Sequence, residues 1–170
     1  MFTTEPHIAP ASPATDPWLP FFYRVTEVEY ESPTMATLQL EPDGSGAIAP
    51  LLPGQFTMMY KFGIGEVPIS VSSLLRPYPN ITHTIQNVGE ISKSLVESHK
   101  GDLLGIRGPY GNHWPLKVAE NRDVIVIAGG VGLAPLRPVI EHLGQHHQNY
   151  KRINVLFGSR SPQSIIFQSD

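Results

Sequence analysis

The stretch Val124-Ile-Val-Ile-Ala-Gly-Gly-Val-Gly-Leu-Ala-Pro-Leu-Arg-Pro138 is the part of this sequence that says most about the fold. Its first residues are apolar and mostly β-branched, a pattern typical of a buried parallel strand. The strand delivers the backbone to a turn at Gly129, Gly130 and Gly132, where the missing Cβ atoms let a phosphate group approach the main chain. The stretch therefore predicts a strand, a phosphate-binding glycine turn and a helix.

A helix over residues 133–147 is predicted after the glycines, with its N–H groups and positive dipole end pointing at a bound anion. Pro135 fits near the first turn of that helix, where a missing N–H costs nothing. With strands at 123–128 and 153–157, the helix completes a β-α-β unit of parallel strands. The spacing G-G-x-G-x-x-P differs from the common G-x-G-x-x-G dinucleotide motif, so an ordinary glycine turn stays open as an alternative.

The composition is that of a globular protein without cysteine chemistry. The 170 residues are 41% hydrophobic and 16% charged, with 12 Lys and Arg against 15 Asp and Glu. This balance gives no reason to expect a nucleic-acid partner. The absence of cysteine excludes disulfides and cysteine-bound iron–sulfur clusters. No apolar run reaches the roughly 20 residues of a membrane span and no signal peptide is evident, so we expect a soluble cytoplasmic protein.

Short segments of alternating apolar and polar residues, separated by Gly and Pro turns, precede the glycine turn. Such a series is typical of strands with one buried face and predicts a small antiparallel barrel. The predicted strands are 21–30, 35–40, 55–60, 67–72, 81–88 and 103–107. One helix, residues 92–100, interrupts them, and Lys100-Gly101 provides its C-terminal signal.

The sequence predicts three parts. Residues 1–20 contain five prolines and no periodicity, and we expect them to form a flexible leader. Residues 21–118 form the barrel, and residues 119–170 form an α/β nucleotide-binding domain. A single β-α-β unit is too small for a doubly wound sheet, so this last domain is expected to be truncated or completed from elsewhere.

Two segments of the barrel carry hydroxyls in positions that suit a ligand. In Pro68-Ile-Ser-Val-Ser-Ser73, alternation puts Ser70 and Ser72 on one face, where small hydroxyls can hydrogen-bond a flat heteroaromatic ring. A solvated strand face is the alternative. In Gly89-Glu-Ile-Ser92, a hydroxyl lies beside the free N–H groups of a helix start. Ser92 is then an anion contact, an N-cap, or both.

The remaining polar candidates are weaker. Gly105-Ile-Arg-Gly-Pro-Tyr-Gly111 is a rigid turn, and its Tyr110 would pack on a ligand or plug the barrel. Glu66 is best interpreted as a turn carboxylate, with a contact to a ligand as the alternative. His142 and His146 share a helix face, but no carboxylate or cysteine completes a metal-binding set, and we expect no metal site.

Taken in order, the motifs resemble the ferredoxin–NADP reductase superfamily, which joins a flavin-binding antiparallel barrel to a nucleotide-binding α/β domain. The resemblance is carried by Glu66-Val-Pro-Ile-Ser-Val-Ser72, Gly101-Asp-Leu-Leu-Gly-Ile-Arg-Gly-Pro-Tyr-Gly111 and Ala128-Gly-Gly-Val-Gly-Leu-Ala-Pro-Leu-Arg137. The gamma-type flavin subunits of cytoplasmic nickel–iron hydrogenases (sulfhydrogenases) are the most similar group. The electron-transfer subunit of dihydroorotate dehydrogenase is a near relative. Each motif alone is weak, whereas the ordered set is specific.

The resemblance implies a site for each of two cofactors, FAD and NAD(P)H. Pro68, Ile69 and Ser70 match the segment that faces the flavin ring, and Ser70 would be the catalytic hydroxyl nearest its redox-active edge. The flavin pyrophosphate would be held by Val88, Gly89, Ile91 and Ser92, and the nicotinamide cofactor by Gly129, Gly130, Gly132 and Pro135, bordered by Gly158 and Arg160.

The sequence departs from the family at the flavin segment. The family often has Arg-x-Tyr-Ser there, and the arginine pairs with a phosphate. Val67 and Ile69 stand at the arginine and tyrosine positions in this chain. The flavin phosphate is therefore expected to rely on the helix start at Ser92, with Arg76 or Lys93 as alternative cations.

The resemblance implies a flavin-dependent oxidoreductase subunit that moves a hydride between NAD(P)H and FAD. It would pass electrons to a redox partner subunit, such as a hydrogenase or an iron–sulfur protein, within a hetero-oligomer. Three alternatives stay open: a noncatalytic flavin-binding or docking module, a protein like the dihydroorotate dehydrogenase electron-transfer subunit, and a barrel that binds no flavin. NADH and NADPH are not distinguished, because the residues that read the 2′-phosphate in this family usually lie beyond residue 170.

Overall fold

The computed structural model of the chain describes residues 18–74 and 77–168. The predicted leader lies outside the described residues except for its last three, and Arg76 lies outside them as well. In the described part, a closed barrel comes first and a two-stranded parallel sheet with its helices comes second.

Six antiparallel strands form the barrel. They are β1 (Phe21–Ser32), β2 (Met35–Pro42), β3 (Phe56–Lys61), β4 (Gly65–Ser73), β5 (Ile81–Gln86) and β6 (Leu103–Tyr110). Their order is β1-β2-β5-β4-β3-β6, and β6 pairs back with β1 to close the sheet. The antiparallel barrel predicted from the alternation is confirmed, although the ends of the strands differ from the prediction.

The interior of the barrel is apolar and densely filled. Val25, Leu38, Met59, Ile85 and Ile106 are at most 1% exposed and belong to one core cluster. Alternate residues of each strand supply this cluster, as period-2 patterning requires. Full burial of such a side chain contributes about 1.5–3 kcal/mol relative to an exposed position, so this interior is the main source of the barrel's stability.

The outer face of β2, β5 and β4 is also buried, but it is polar. Thr37, Thr84 and Ser72 are at most 5% exposed and lie on the face opposite to the core side chains. The Thr37 and Thr84 hydroxyls are 2.8 Å apart, and the Thr84 and Ser72 hydroxyls are 2.9 Å apart. Thr37 Oγ1 also lies 2.7 Å from Glu31 Oε1, to which it donates. These contacts satisfy hydroxyls that burial would otherwise leave unpaired.

The first α-helix, α1 (Glu90–Val96), packs Leu95 and Val96 into the barrel core. It starts and ends earlier than the predicted helix at 92–100. The chain turns afterwards at Gly101, which has φ +99 and whose N–H donates to Val25 O at 2.8 Å. The Lys100-Gly101 signal therefore marks the turn that brings the next strand against β1, and it does not mark the helix end.

The C-terminal unit, residues 116–168, has parallel strands β7 (Val124–Gly129) and β8 (Ile153–Gly158) with the helix α2 (Arg137–Gln145) between them. The β-α-β order is as predicted, but the helix is divided. A 3-10 helix, Gly130–Leu136, follows β7 directly, and Pro135 lies inside it. Proline lacks the N–H that an α-helix needs and its ring clashes with the preceding turn, so the α-helix starts only at Arg137.

Glu141 of α2 joins the C-terminal unit to the barrel. Ser73 Oγ donates to one of its oxygens at 2.7 Å, and the next backbone N–H along the chain donates to the other at 3.1 Å. Arg137 lies 3.5 Å from Glu141, and its guanidinium lies 4.4 Å from the ring centre of Phe167. The Phe167 N–H donates to Glu31 Oε2 at 2.8 Å. These contacts tie the C-terminal unit to β4 and β1.

The two faces of the β7–β8 sheet are unequal. The helix α2 covers one face, where Val126 and Leu143 are buried. The other face carries Ile125, Ile127 and Leu156, which are 62%, 69% and 56% exposed. Parallel sheets are usually covered on both faces, whereas this face of the β7–β8 sheet is an exposed apolar surface. Across the described ranges, no helix is long and apolar enough to cross a membrane.

Candidate functional site

The glycine turn, residues 129–132, lies at the carboxyl ends of both parallel strands. Gly129 ends β7 and faces Gly158, which ends β8. Gly130 has φ +51, in the left-handed region that side chains rarely adopt. A Cβ on Gly130 or Gly132 would meet no atom within 4 Å. The turn is bent by glycine and open in front, the arrangement that lets an anion reach backbone N–H groups.

A cleft of about 650 Å³ opens beside this turn. It is lined by Met35, Gln86, Gly129, Gly130, Val131, Gly158, Ser159, Arg160 and Ser164. Ligands of open α/β sheets bind at this position, outside the carboxyl ends of the strands. Arg160 forms no ion pair with any residue in the described ranges, so its charge can meet an anionic ligand. The cleft brings together Gly129, Gly130, Gly158 and Arg160 of the predicted contacts, but Gly132 and Pro135 do not line it.

Ser70 lies on β4, against which the 3-10 helix that begins within the glycine turn packs. Its side chain is half-buried, and its hydroxyl makes no hydrogen bond to any residue that the structure describes. Pro68 is exposed and Ile69 is half-buried in the same segment. A strand hydroxyl without a protein partner can act as donor and acceptor to a ligand.

The start of α1 contradicts the interpretation of Ser92 as an N-cap. Gly89 is the N-cap, and Ser92 is the third helical residue. The Ser92 hydroxyl oxygen accepts from the N–H groups of Val88 and Gly89 at 2.9 and 3.0 Å. Val88 is 81% exposed, and the Ile91 side chain packs toward the barrel core. The Ser92 hydroxyl also donates to Gly89 O at 3.0 Å, so its hydrogen-bonding capacity is used within the turn.

A buried histidine lies behind the Ser70 segment and was not among the predicted site residues. His83 of β5 is 0% exposed. Its Nδ1 lies 2.8 Å from Ser70 O, and its Nε2 lies 3.1 Å from Thr57 Oγ1. Burial lowers the pKa of His83 from 6.5 to about 4, so the ring is neutral near pH 7. The alternation of Ile81-Thr-His-Thr-Ile85 carries the signal, because it places the histidine on the inward face.

The other polar candidates have protein partners. Arg107 pairs with Glu66 at 2.6 Å, and Glu66 lies in β4 and not in the predicted turn. The ring of Tyr110 packs against Phe56 at 5.7 Å between centroids, on the outside of the barrel. Lys93, one of the alternative cations, lies 3.9 Å from Glu97.

The paired histidines on α2 stack on each other. The rings of His142 and His146 are 4.3 Å apart, and burial together with the charge of His146 lowers the pKa of His142. Three or more metal-ligating side chains do not cluster anywhere in the described part of the chain.

Part of the sequence matches a known family, and most of it is similar to known proteins. The family model described as "Oxidoreductase NAD-binding domain" matches residues 126–170. Sulfhydrogenase 2 subunit gamma of Pyrococcus furiosus is 39% identical over 118 residues, which are 69% of this chain and 40% of that protein. A probable dihydroorotate dehydrogenase B electron transfer subunit of Methanocella arvoryzae is 35% identical over 151 residues, 88% of this chain and 52% of that protein. The chain therefore spans about half of the length of these two relatives.

Two solved structures share the fold of this chain. Flavohemoglobin from Malassezia yamatoensis, crystallised with FAD and heme, matches with a TM-score of 0.76 at 20% identity, over 89% of this chain and 41% of that chain. Phthalate dioxygenase reductase matches with a TM-score of 0.73 at 15% identity, over 86% and 46%. These matches confirm the predicted resemblance to the ferredoxin–NADP reductase superfamily.

In this chain the segment predicted to face the flavin is largely apolar. Val67 and Ile69, which stand where the family often has arginine and tyrosine, both pack against the barrel core. They offer neither a cation nor a phenol to a ligand. A ligand bound at this segment would therefore meet the Ser70 hydroxyl, the backbone and apolar surface.

Proposed function

We propose that this chain binds FAD against the barrel and NAD(P)H at the glycine turn, and moves a hydride between them. One observation carries the proposal: the 3-10 helix that continues the glycine turn packs against β4 and β5. The phosphate-binding turn and the strand that bears Ser70 are thereby neighbours in one molecule. Residues 21–118 would form the flavin domain and residues 119–170 part of the nicotinamide domain.

The residues on the barrel fit a flavin. Ser70 offers a hydroxyl that bonds to no residue in the described ranges, and Pro68 and Ile69 offer apolar surface beside it. At the start of α1, a Cβ on Gly89 would meet no atom within 4 Å, so the backbone there is accessible to a phosphate. When bound, FAD supplies a carrier that takes up a hydride and releases electrons singly or in pairs.

The cleft at the glycine turn fits the phosphates of a nicotinamide cofactor. Gly130 exposes its backbone without a side chain in front of it, and Arg160 contributes a positive charge at the cleft. Gly132 and Pro135 act indirectly, because they shape the segment that follows the turn. The protein's contribution is to hold the two ligands in register, which removes the entropic cost of bringing them together.

The electron acceptor is proposed to be a partner subunit. The relatives in Pyrococcus furiosus and Methanocella arvoryzae are named as subunits, one of a sulfhydrogenase and one of a dihydroorotate dehydrogenase. By analogy, this chain would work in a hetero-oligomer with a redox partner. A noncatalytic flavin-binding module is the second candidate, favoured by the exposed Ile125, Ile127 and Leu156 on the nicotinamide side.

A visible spectrum of the purified chain tests these proposals. The chain is incubated with FAD and freed of excess, and its spectrum is recorded without oxygen before and after NADH, then NADPH, is added. Flavin bands that bleach with either nucleotide would support hydride transfer and identify the preferred donor. Bands that persist would favour the noncatalytic module, and a chain that retains no flavin would contradict both.

A further inference from the structure

The buried histidine of β5 holds the backbone of the segment proposed to face the flavin. His83 lies inside the barrel, between Ile81 and Ile85 along β5, and is 0% exposed. Its ring links three strands, because Nδ1 reaches Ser70 O on β4 at 2.8 Å and Nε2 reaches Thr57 Oγ1 on β3 at 3.1 Å. A buried, fully hydrogen-bonded imidazole between strands restricts the movement of the groups it contacts.

The chemistry of its neighbours fixes the proton on one nitrogen. A carbonyl oxygen only accepts, so Nδ1 must carry hydrogen and donate to Ser70 O. Because burial lowers the pKa of His83 to about 4, the ring holds a single proton near pH 7. Nε2 is then bare and accepts from the Thr57 hydroxyl. Each ring nitrogen therefore has one defined role.

The pairing of the strands explains why a side chain takes this place. Val71 faces His83 and Ser73 faces Thr82, with an irregularity between these pairs. Ser70 lies outside this β4–β5 register. The imidazole therefore supplies a link from β5 to the Ser70 carbonyl beyond the end of the regular pairing.

We propose that His83 is a positioning residue, whose Nδ1–H holds the Ser70 carbonyl and so orients the Ser70 hydroxyl toward bound FAD. The carbonyl and the side chain of Ser70 share one Cα, so fixing the peptide plane also limits where the hydroxyl points. This inference rests on the proposed function, since the orientation matters only if FAD binds against β4.

Two amide substitutions of His83 distinguish a positioning role from a role in which the side chain only fills the core. In His83→Asn the amide nitrogen can take the place of Nδ1 and still donate to Ser70 O, whereas in His83→Gln it reaches the place of Nε2. We expect His83→Asn to keep the dissociation constant for FAD within about twofold of the original chain. We expect His83→Gln to weaken it about tenfold, the effect of losing one hydrogen bond, and to shift the visible bands of the bound flavin.

Thr57→Val serves as the matched control, because it removes the partner of Nε2 and leaves the contact to Ser70 O in place. It should lower the melting temperature without weakening FAD binding. Amide hydrogen exchange at Val71, whose N–H donates to Gln55 O at 3.0 Å, reports on the same segment without any ligand. Exchange there should be faster in His83→Gln than in His83→Asn.

The outcomes are distinct. Equal losses of FAD affinity in the two amide variants, in proportion to their losses in melting temperature, would overturn the positioning role. If the original chain binds no FAD, the proposed function fails, and exchange at Val71 then decides the role of His83 alone. Equal exchange rates in the two variants would show that the imidazole only fills space.

Discussion

The barrel and the C-terminal unit bury their apolar residues to very different degrees. In the barrel, a closed sheet surrounds side chains such as Leu38 and Ile106, which are fully buried. In the C-terminal unit, the β7–β8 sheet hides Val126 under α2 but leaves Ile127 69% exposed on its other face. Closure lets a small sheet satisfy its own strand edges and its own core. An open sheet of two strands depends on what packs against it.

The largest expected effect is in the barrel core. Leu38→Ala removes a side chain with 0% exposure and leaves a cavity, which costs about 2–5 kcal/mol. Ile127→Ala, on the open face of the C-terminal unit, should change stability by less than about 0.5 kcal/mol. Urea denaturation of both variants measures the difference. Similar costs for the two would mean that the open face is packed in solution, and the contrast between the units would be lost.

Acidification should destabilise the barrel through His83. Its pKa is about 4 in the folded chain and 6.5 as an ordinary histidine, so the unfolded chain binds more protons between these values. Stability is therefore lost as the pH falls from 6.5 through 4, and the full loss is about 3 kcal/mol.

Urea denaturation of the original chain and of His83→Asn at pH 7 and pH 4.5 measures this contribution. The variant lacks the titrating ring, so its loss of stability on acidification should be smaller. Parallel losses in the two proteins would mean that the imidazole is protonated without cost, which is inconsistent with its burial.

The junction between the units should yield an intermediate effect. Glu141→Ala removes the acceptor for Ser73 Oγ and the partner of Arg137, at a cost of about 1–3 kcal/mol. Because these contacts cross from α2 to β4, amide exchange should rise in α2 and remain low in the barrel. Glu97→Ala is the control. It removes the exposed ion pair between Lys93 and Glu97, whose charged atoms are 3.9 Å apart, and should change stability little. Uniform exchange through both units would show that they unfold together.

The smallest expected changes in stability come from substituting two glycines of the C-terminal unit. Gly130 has φ +51, so Gly130→Ala should cost about 1 kcal/mol. Gly144 lies inside α2 with open space around it, and Gly144→Ala should add about 0.5–1 kcal/mol of stability. Thermal melts give both values. Only the first variant should also lose NADH-dependent bleaching, and loss in both would argue against the glycine turn as the site.

The spacing of apolar residues predicted the barrel and the β-α-β order. This was possible because alternating polarity along a strand and glycine at a turn are local features of the sequence. The predicted helix 133–147 is divided because Pro135 disturbs the turn that precedes it. The α-helix therefore starts only at Arg137. The contact of His83 with Ser70 could not be predicted, since it lies beyond the end of the regular pairing between β5 and β4. Glu141 was also missed, because it lies 68 residues from Ser73 along the chain.

The two-stranded sheet has a practical consequence for anyone who handles the purified chain. In the described part of the molecule, β7 and β8 pair only with each other, so each has one edge of unpaired N–H and C=O groups. Such edges next to exposed Ile125 and Leu156 are templates for pairing with a strand of another molecule. Concentrated samples should therefore associate through the C-terminal unit, and dilute solutions or a mild detergent should keep the chain monodisperse. The closed barrel presents no comparable edge.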